Sequence, residues 1–317
     1  MKADDRWWLA CAALALLAGL FEPRVELPRR LFEHVVVFDI TQSMNVTDTL
    51  LDGRPAARLD FARRALRDAL PELPCGARLG LGIFTEYRSY LLFAPVEVCA
   101  NRAELRAALD HLDGSMAWSG NSEVAKGLHS AVSIAKALPG VPSLLFVSDG
   151  HEAPPLNPRH RPRFDDKPGE VAGVILGVGD MRPAAIPKFD PSGRPLGVWK
   201  ADEVLQTDPR SQGRGGSVGG EAMVEQEPVP ADVGLGATPG AEHLSALREP
   251  YLRLLASEGG FGYRRLSGTA ALLDALRDPA LARPVTVRAD ARPALAALAL
   301  ALLLVPPLRA AWRALRR

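Results

Sequence analysis

The chain lacks a net charge that would direct it anywhere. Its 38 lysines and arginines stand against 37 acids over 317 residues, so no field draws it to a polyanion. Outside the ends there is no basic run with interleaved aromatics, which removes the usual footprint of nucleic-acid binding. The chain also lacks an apolar run that would span a bilayer with ease. Trp7 to Phe21 and Ala294 to Leu308 are each uncharged for 15 residues, short of the ~20 a spanning helix uses. No small-x-small cleavage site follows the first, which favours an uncleaved anchor over a removable secretory signal. Cysteine is scarce. Of three residues, Cys11 lies in the first apolar stretch, and only Cys75 and Cys99 lie outside it.

What the ends do contain is directional. Ala294 to Trp312 runs 19 residues with Arg309 as its one charge, and an arginine near a helix end can snorkel to the interface. Four arginines in the last nine positions place that tail in the cytoplasm. The competing reading of this stretch is a buried helix. Whether the first segment is an anchor or a signal, the middle is exported. The expectation is therefore a membrane anchor or signal over 1–27, a transmembrane helix over 294–312 and a cytoplasmic basic tail over 313–317. The middle lies in the periplasm, held at the inner membrane. An oxidising compartment suits the two remaining cysteines. Residues 78–98 read as two strands around a turn near Glu86 to Ser89, and the midpoint of 75 and 99 falls inside that turn. Residues equidistant from a hairpin turn face each other, so a Cys75–Cys99 disulfide closing its open end is natural. Two unpaired buried thiols are the alternative.

Val35 to Phe38 is short, apolar and β-branched, as a central parallel strand should be. Arg58 to Leu70 follows as a helix with Leu59, Ala62, Leu66 and Ala69 on one face. After the hairpin, Asn101 with Glu104 predicts a capping box and a helix lined by Leu105, Leu109 and Leu112. Ser122 to Leu138 predicts a longer helix. "SLLFVSDG" and "VAGVILGVG" read as further strands, His243 to Ser257 as a helix, "GYRRL" as a strand and "TAALLDALRD" as a closing helix. Strands alternating with helices predict an α/β fold, a doubly wound, mostly parallel open sheet with one antiparallel edge strand. Residues 207–240 hold 8 glycines and 4 prolines in 34 positions and read as an exposed insertion that packs no core.

In an open α/β sheet, ligands bind beyond the carboxyl ends of the strands. Asp39 and Asp149 stand at two such ends. Converging carboxylates repel unless something positive lies between them or one holds a proton, and a divalent cation meets that need. Thr41 and Ser43 follow Asp39 at alternate positions and supply the neutral oxygens a hard ion prefers. Ser122, at the start of the long helix, is a third-loop ligand or a plain N-cap. Ser119 is a weaker candidate for the same place. Glu86 and Tyr87 read as solvated turn residues, with partner contacts as the alternative, and His151 and Glu152 as surface loop, with a place lining the site as the alternative. Trp118 is either a core plug or a contact aromatic.

Asp39, Thr41, Ser43, Ser122 and Asp149, in this order, resemble the metal-ion-dependent adhesion site of von Willebrand factor A domains. Thr41 stands where the family usually has serine and Ser122 where it has threonine; both keep the hydroxyl. The likeness covers residues 31–280, and "GVGDMRPAAIPKFDPSGRPLGVW" and "LLASEGGFGYRRL" resemble membrane-anchored bacterial A-domain proteins of the BatA kind. "DITQSMNVTD", "WSGNSEVAKGLHSA" and "EHLSALREPYLRLLASEGG" resemble the MxaL group, the A-domain accessory proteins of methanol oxidation systems. The resemblance implies a bound divalent cation, Mg²⁺ first, with Ca²⁺ or Mn²⁺ as alternatives. It implies a non-enzymatic binding role toward a protein partner that presents a carboxylate. In its narrowest form that partner is methanol dehydrogenase or its accessory proteins, and the role is calcium insertion. A general envelope assembly or stress function of the BatA type is the alternative. A haloacid dehalogenase-like phosphotransferase with Asp39 as nucleophile is more remote, because "SDGHEA" lacks the second acid at the spacing that chemistry uses.

Overall fold

The computed structural model describes residues 3–162, 164–190, 193–207, 223–225, 233, 235, 238 and 240–315. Most of the glycine-rich stretch 207–240 therefore lies outside the described residues. The chain divides into two compact units, Phe32–Ala282 and the paired ends Met1–Leu31 with Arg283–Arg317.

In the larger unit, strand pleating turns successive side chains to opposite faces, and the central strand is apolar on both. β1 (Arg24–Asp39) enters this unit with its carboxyl half. There Val36 and Phe38 pack into one core cluster and Val35 and Val37 into another. Five further strands extend the sheet in this unit: β2 (Arg78–Thr85), β3 (Arg88–Glu97), β4 (Ser143–Ser148), β5 (Gly173–Gly177) and β6 (Gly262–Arg265). Their order is β6-β5-β4-β1-β2-β3. All neighbours are parallel except the edge pair β2–β3, which is antiparallel. Helices cover both faces. α2 (Arg58–Ala69), α3 (Arg102–His111) and α6 (Thr269–Leu276) bury Leu59, Leu66, Leu105, Leu109 and Leu272 against Val36 and Phe38. α4 (Val124–Ala137) and α5 (Glu249–Gly259) bury Leu128, Tyr251 and Leu252 against Val35 and Val37. This is the doubly wound, mostly parallel sheet with one antiparallel edge strand that the alternation of elements predicts.

α4 approaches the sheet closely. A Cβ at Gly127 would lie 2.1 Å from the Phe84 ring, so only glycine fits there. At the edge, Glu86 and Tyr87 form the tip of the β2–β3 hairpin, with Glu86 at φ 60°. Cys75 and Cys99 form a disulfide across its open end, with Cα atoms 5.3 Å apart. Beside them the Glu97 carboxylate accepts the backbone N–H groups of Gly76 (2.7 Å) and Ala100 (2.5 Å).

Several local expectations shift. Asn101 makes no side-chain cap; its amide donates instead to the Glu97 carbonyl (2.8 Å), which fixes the turn after β3. The helix predicted from His243 starts only at Glu249, with Pro250 in its first turn. The residues before it run extended: Leu244–Ser245 pair with Ala184–Ala185. The Leu247 N–H donates to the Asp180 carbonyl (2.7 Å) and the Arg248 N–H to the Asp149 carbonyl (2.8 Å). Backbone bonds to two strand ends outweigh the helical periodicity there.

In the terminal unit, α1 (Ala3–Leu20) and α7 (Arg292–Leu315) share a small contact of Ala12, Ala15 and Ala299 with Leu302. The first half of β1 pairs with β7 (Ala282–Asp290). Among the described residues, one helix, over Arg292–Arg309, is long and apolar enough to cross a membrane, and the apolar part of α1, Arg6–Leu20, is shorter.

Candidate metal site

Parallel pairing sets the site. Phe38 lies opposite Val147, so Asp39 is level with Ser148 and Asp149 is one residue further out. Asp39 is fully buried. Its Oδ1 accepts the Thr41 N–H (2.9 Å) and the Thr41 hydroxyl (2.6 Å), and its Oδ2 accepts the Ser148 hydroxyl (2.7 Å). Thr41 is extended, but the chain then tightens into a 3₁₀ turn over Gln42–Asn45. The loop is thus extended only as far as Thr41, and the turn brings the Ser43 hydroxyl to 3.4 Å from that of Thr41.

Asp149 is also fully buried, and here the structure supplies a cation that the sequence reading did not foresee. The Arg58 guanidinium, itself completely buried, donates from Nη1 to Asp149 Oδ2 (2.5 Å). Its other edge donates to Asp48 from Nε (3.0 Å) and Nη2 (2.6 Å). Ser245 accepts from Arg58 Nη1 (2.7 Å) and donates to Asp149 Oδ2 (2.9 Å). Gly179 makes the room: at φ 116°, a Cβ there would sit 2.5 Å from Arg58 Nε. Every strong donor on the guanidinium meets an acceptor, the condition under which a buried ion pair is tolerable.

The two carboxylates consequently differ. Burial is the largest influence on Asp149 and raises it, but the Arg58 charge, His151 and the hydrogen bonds to the carboxylate together outweigh it and hold the group below the usual carboxylate range. Asp39 has no cation, and burial together with the Asp149 charge pushes it up to about 7. A positive charge near Arg58 therefore answers half of the repulsion problem and leaves Asp39 unanswered.

Ser122 comes from the third loop. It lies between two neighbours: its N–H and C=O bond with Ala153 (2.6 and 2.7 Å), and the next N–H, of Glu123, donates to the Glu86 carbonyl (2.6 Å). α4 begins at Val124 and its N-cap position is Glu123, so Ser122 is not the helix cap. Its hydroxyl is buried with no hydrogen-bond partner among the described residues. Thr41, Ser43 and Ser122 line one cleft of about 170 Å³. The donors fit a hard cation: all are carboxylate or hydroxyl oxygens, and one hydroxyl is left without a partner where the three loops meet. Thr41, Ser43 and Ser122 line the cleft, Asp39 is fully buried with its oxygens bonded to Thr41 and Ser148, and Asp149 is held by Arg58.

One expectation is corrected, and one open choice is decided. His151 and Glu152 are not surface loop but buried. The Glu152 carboxyl reaches the amino end of α4, accepting the Ala125 N–H (3.0 Å) and the Tyr251 hydroxyl (2.5 Å), which draws the segment inward. Trp118 is 56 % exposed. Its Nε1–H donates to Glu86 (3.2 Å) and its ring meets Tyr90 edge-on at 5.0 Å, so it is a surface aromatic beside the site and not a core plug. Ser119 donates no ligand-loop bond; its hydroxyl accepts the Asn121 N–H (3.2 Å).

No family model and no curated protein matches the chain. Among solved structures it is similar to an aerotolerance-related membrane protein from Bacteroides fragilis, at 14% identity over 78% of this chain and 98% of that one, TM-score 0.47. It is similar to a membrane-spanning protein from Vibrio fischeri, at 15% identity over 77% and 95%, TM-score 0.29. A von Willebrand factor type A structure from Catenulispora acidiphila shares 15% identity over 46% of this chain and 33% of that one, TM-score 0.29.

Proposed function

We propose that this protein is a non-enzymatic, membrane-held binding module that grips a carboxylate of a protein partner through a divalent cation. The observation that carries the reading is the buried, unpartnered Ser122 hydroxyl at the meeting point of the Asp39 and Asp149 loops. A buried hydroxyl left unbonded costs about 1–3 kcal/mol, and a cation held by Asp39, Thr41, Ser43 and Ser122 removes that cost. Mg²⁺ suits the small all-oxygen donor set, with Ca²⁺ or Mn²⁺ as alternatives. When bound, the ion supplies a Lewis-acidic point for one further oxygen. The chain's own part is positional. Ser148 and Thr41 orient the Asp39 carboxylate, Arg58 fixes Asp149, and the Glu86 and Ala153 backbones hold Ser122 in place.

The apolar helix over Arg292–Arg309 serves as the anchor, with the basic tail in the cytoplasm and the site in the periplasm of the inner membrane. A BatA-like envelope assembly role is the broad form of the proposal. Maturation of methanol dehydrogenase by calcium insertion is its narrow form, and it rests on sequence segments alone; loss of the protein should then leave dehydrogenase present but poor in calcium. The direct test is calorimetry on the full chain in detergent, with Mg²⁺ and acetate as probes. Acetate should bind only with Mg²⁺, and Asp39→Ala should abolish binding while circular dichroism stays unchanged. Acetate binding that survives chelator would sink the reading.

A further inference from the structure

The cleft beside the ligand loops reaches well past them. Its lining also draws on the segment after β5 and on the loop after Asp149: Pro154, Pro155, Ile186, Trp199 and Leu205. Neither segment contributes a candidate ligand. Two features mark this extension as built for a ligand. First, three residues that line the cleft each carry a buried polar atom with no hydrogen-bond partner among the described residues: Ser122 Oγ, His151 Nδ1 and Trp199 Nε1. Ser122 and His151 are each only 2% exposed, so water does not satisfy them as it would on a surface. One such atom is unremarkable in a protein of this size, but three from separate segments around one cleft are not what folding alone selects. Second, apolar side chains share the lining with the ligand loops: Pro154, Pro155, Ile186, Val204 and Leu205 stand in the same cleft as Thr41, Ser43 and Ser122, together with Glu203 and Glu242.

The size decides the class of occupant. At about 170 Å³ the cleft falls below the ~300 Å³ at which pockets for whole small-molecule ligands begin, and it suits one side chain. Two residues before Gly120 in the chain stands the exposed Trp118, in contact with Tyr90 and Glu86, and exposed aromatics of this kind are enriched at the contact surfaces of macromolecules. A free acid would use neither the apolar wall nor the aromatic pair. A polypeptide would use both.

We propose that this cleft is a specificity subsite for the residue next to the partner's metal-bound acid, and that it selects an acid followed by an apolar side chain. This rests on the carboxylate-gripping reading above and deepens it. The apolar side chain enters between Pro155, Ile186 and Leu205. The peptide carbonyl beside it accepts the Trp199 indole N–H, a group that can only donate. The Lys188 ammonium sits over the Trp199 ring at 4.4 Å and holds the indole in place, and Lys188 is in turn paired with Glu203 (2.6 Å).

The experiment compares three probes on the full chain in detergent with Mg²⁺: acetate, N-acetyl-Asp-Gly-amide and N-acetyl-Asp-Leu-amide. The leucine peptide should bind at least tenfold more tightly than the glycine peptide, the gain expected for burying one leucine side chain. Leu205→Asp should bring the leucine peptide down to the glycine peptide's affinity. Trp199→Phe, which keeps the ring and removes the N–H, should weaken both peptides relative to acetate. Metal-dependent binding of acetate to each variant reports that it is folded. Equal affinity of the two peptides in the unaltered chain overturns the subsite while leaving the metal reading intact. A leucine preference that persists in chelator overturns the coupling between subsite and metal. If none of the probes binds with Mg²⁺, the carboxylate-gripping reading has failed and the subsite falls with it.

Discussion

Asp39 and Asp149 end neighbouring parallel strands, both are wholly buried, and the fold treats them in opposite ways. Asp149 is given a guanidinium, a serine hydroxyl and a backbone N–H. Asp39 is given only hydroxyls and one N–H. The first is a finished ion pair, and the second is a charge waiting for a counter-ion. The difference separates two jobs that an inspection of acids at strand ends would merge. One carboxylate keeps the loops in register, and the other is free to answer to what binds.

The strongest way to break this comparison is to remove the arginine. Arg58→Met should destabilise the protein by about 3–5 kcal/mol, because it leaves Asp149 buried without its counter-charge. Adding Asp149→Asn should recover much of the loss, as measured by chemical denaturation. Next in size, the two aspartates should diverge when each is made neutral. In chelator, Asp149→Asn should lose about 2–3 kcal/mol, since it removes one of the two carboxylates paired with the buried Arg58. Asp39→Asn should change stability by less than about 1 kcal/mol, since it also relieves repulsion. Equal losses would mean the asymmetry is not energetic.

A third buried carboxyl sharpens the comparison through pH. Glu152 has no cation, and burial raises it to about 8 despite the bonds from Tyr251 and Ala125. The folded state then keeps a proton that the unfolded state releases above its ordinary value near 4.5. The unfolded chain binds fewer protons in that window, so stability is fullest below about 4.5 and falls as pH rises to about 8. The slope is at most about 1.4 kcal/mol per pH unit. Glu152→Gln should flatten this decline, which a series of denaturation curves between pH 5 and 8 would reveal. The smallest effect is expected at Ser122. Ser122→Ala should leave stability in chelator unchanged or slightly higher, since it deletes an unbonded buried hydroxyl, and should weaken Mg²⁺ binding about tenfold by calorimetry.

Much of this was legible in the chain. Val35–Phe38 and Ser143–Ser148 announce buried parallel strands by being apolar on both faces, and the residues that follow them are then obliged to stand at the sheet's carboxyl edge. The hairpin spacing that brings Cys75 and Cys99 together is equally a matter of counting. Arg58 was not legible. It opens a helix whose periodic face is carried by Leu59, Ala62 and Leu66, and an arginine at a helix start reads as solvated. Its burial depends on Gly179, Ser245 and Asp48, which lie on three other segments, and no local pattern joins them. Ser245 was further hidden because its neighbourhood carries helical periodicity, which backbone bonds to Asp149 and Asp180 override. His151 and Glu152 look like loop residues for the same reason: polar side chains after a strand are usually wet, and only the arrival of Tyr251 and the start of α4 makes them dry.

Gly127 has a consequence beyond packing. With no side chain there, the Phe84 ring rests on the helix backbone, and that contact sets the height of α4 above the sheet. Ser122 lies five residues upstream, just before the helix begins at Val124, so the reach of its hydroxyl toward the Asp39 loop is gauged by a missing methyl group. The tolerance of the site is therefore set on the flank of the sheet, at a residue that touches no ligand oxygen. Any effort to retune the grip by redesigning the ligand loops inherits that fixed clearance as its starting dimension.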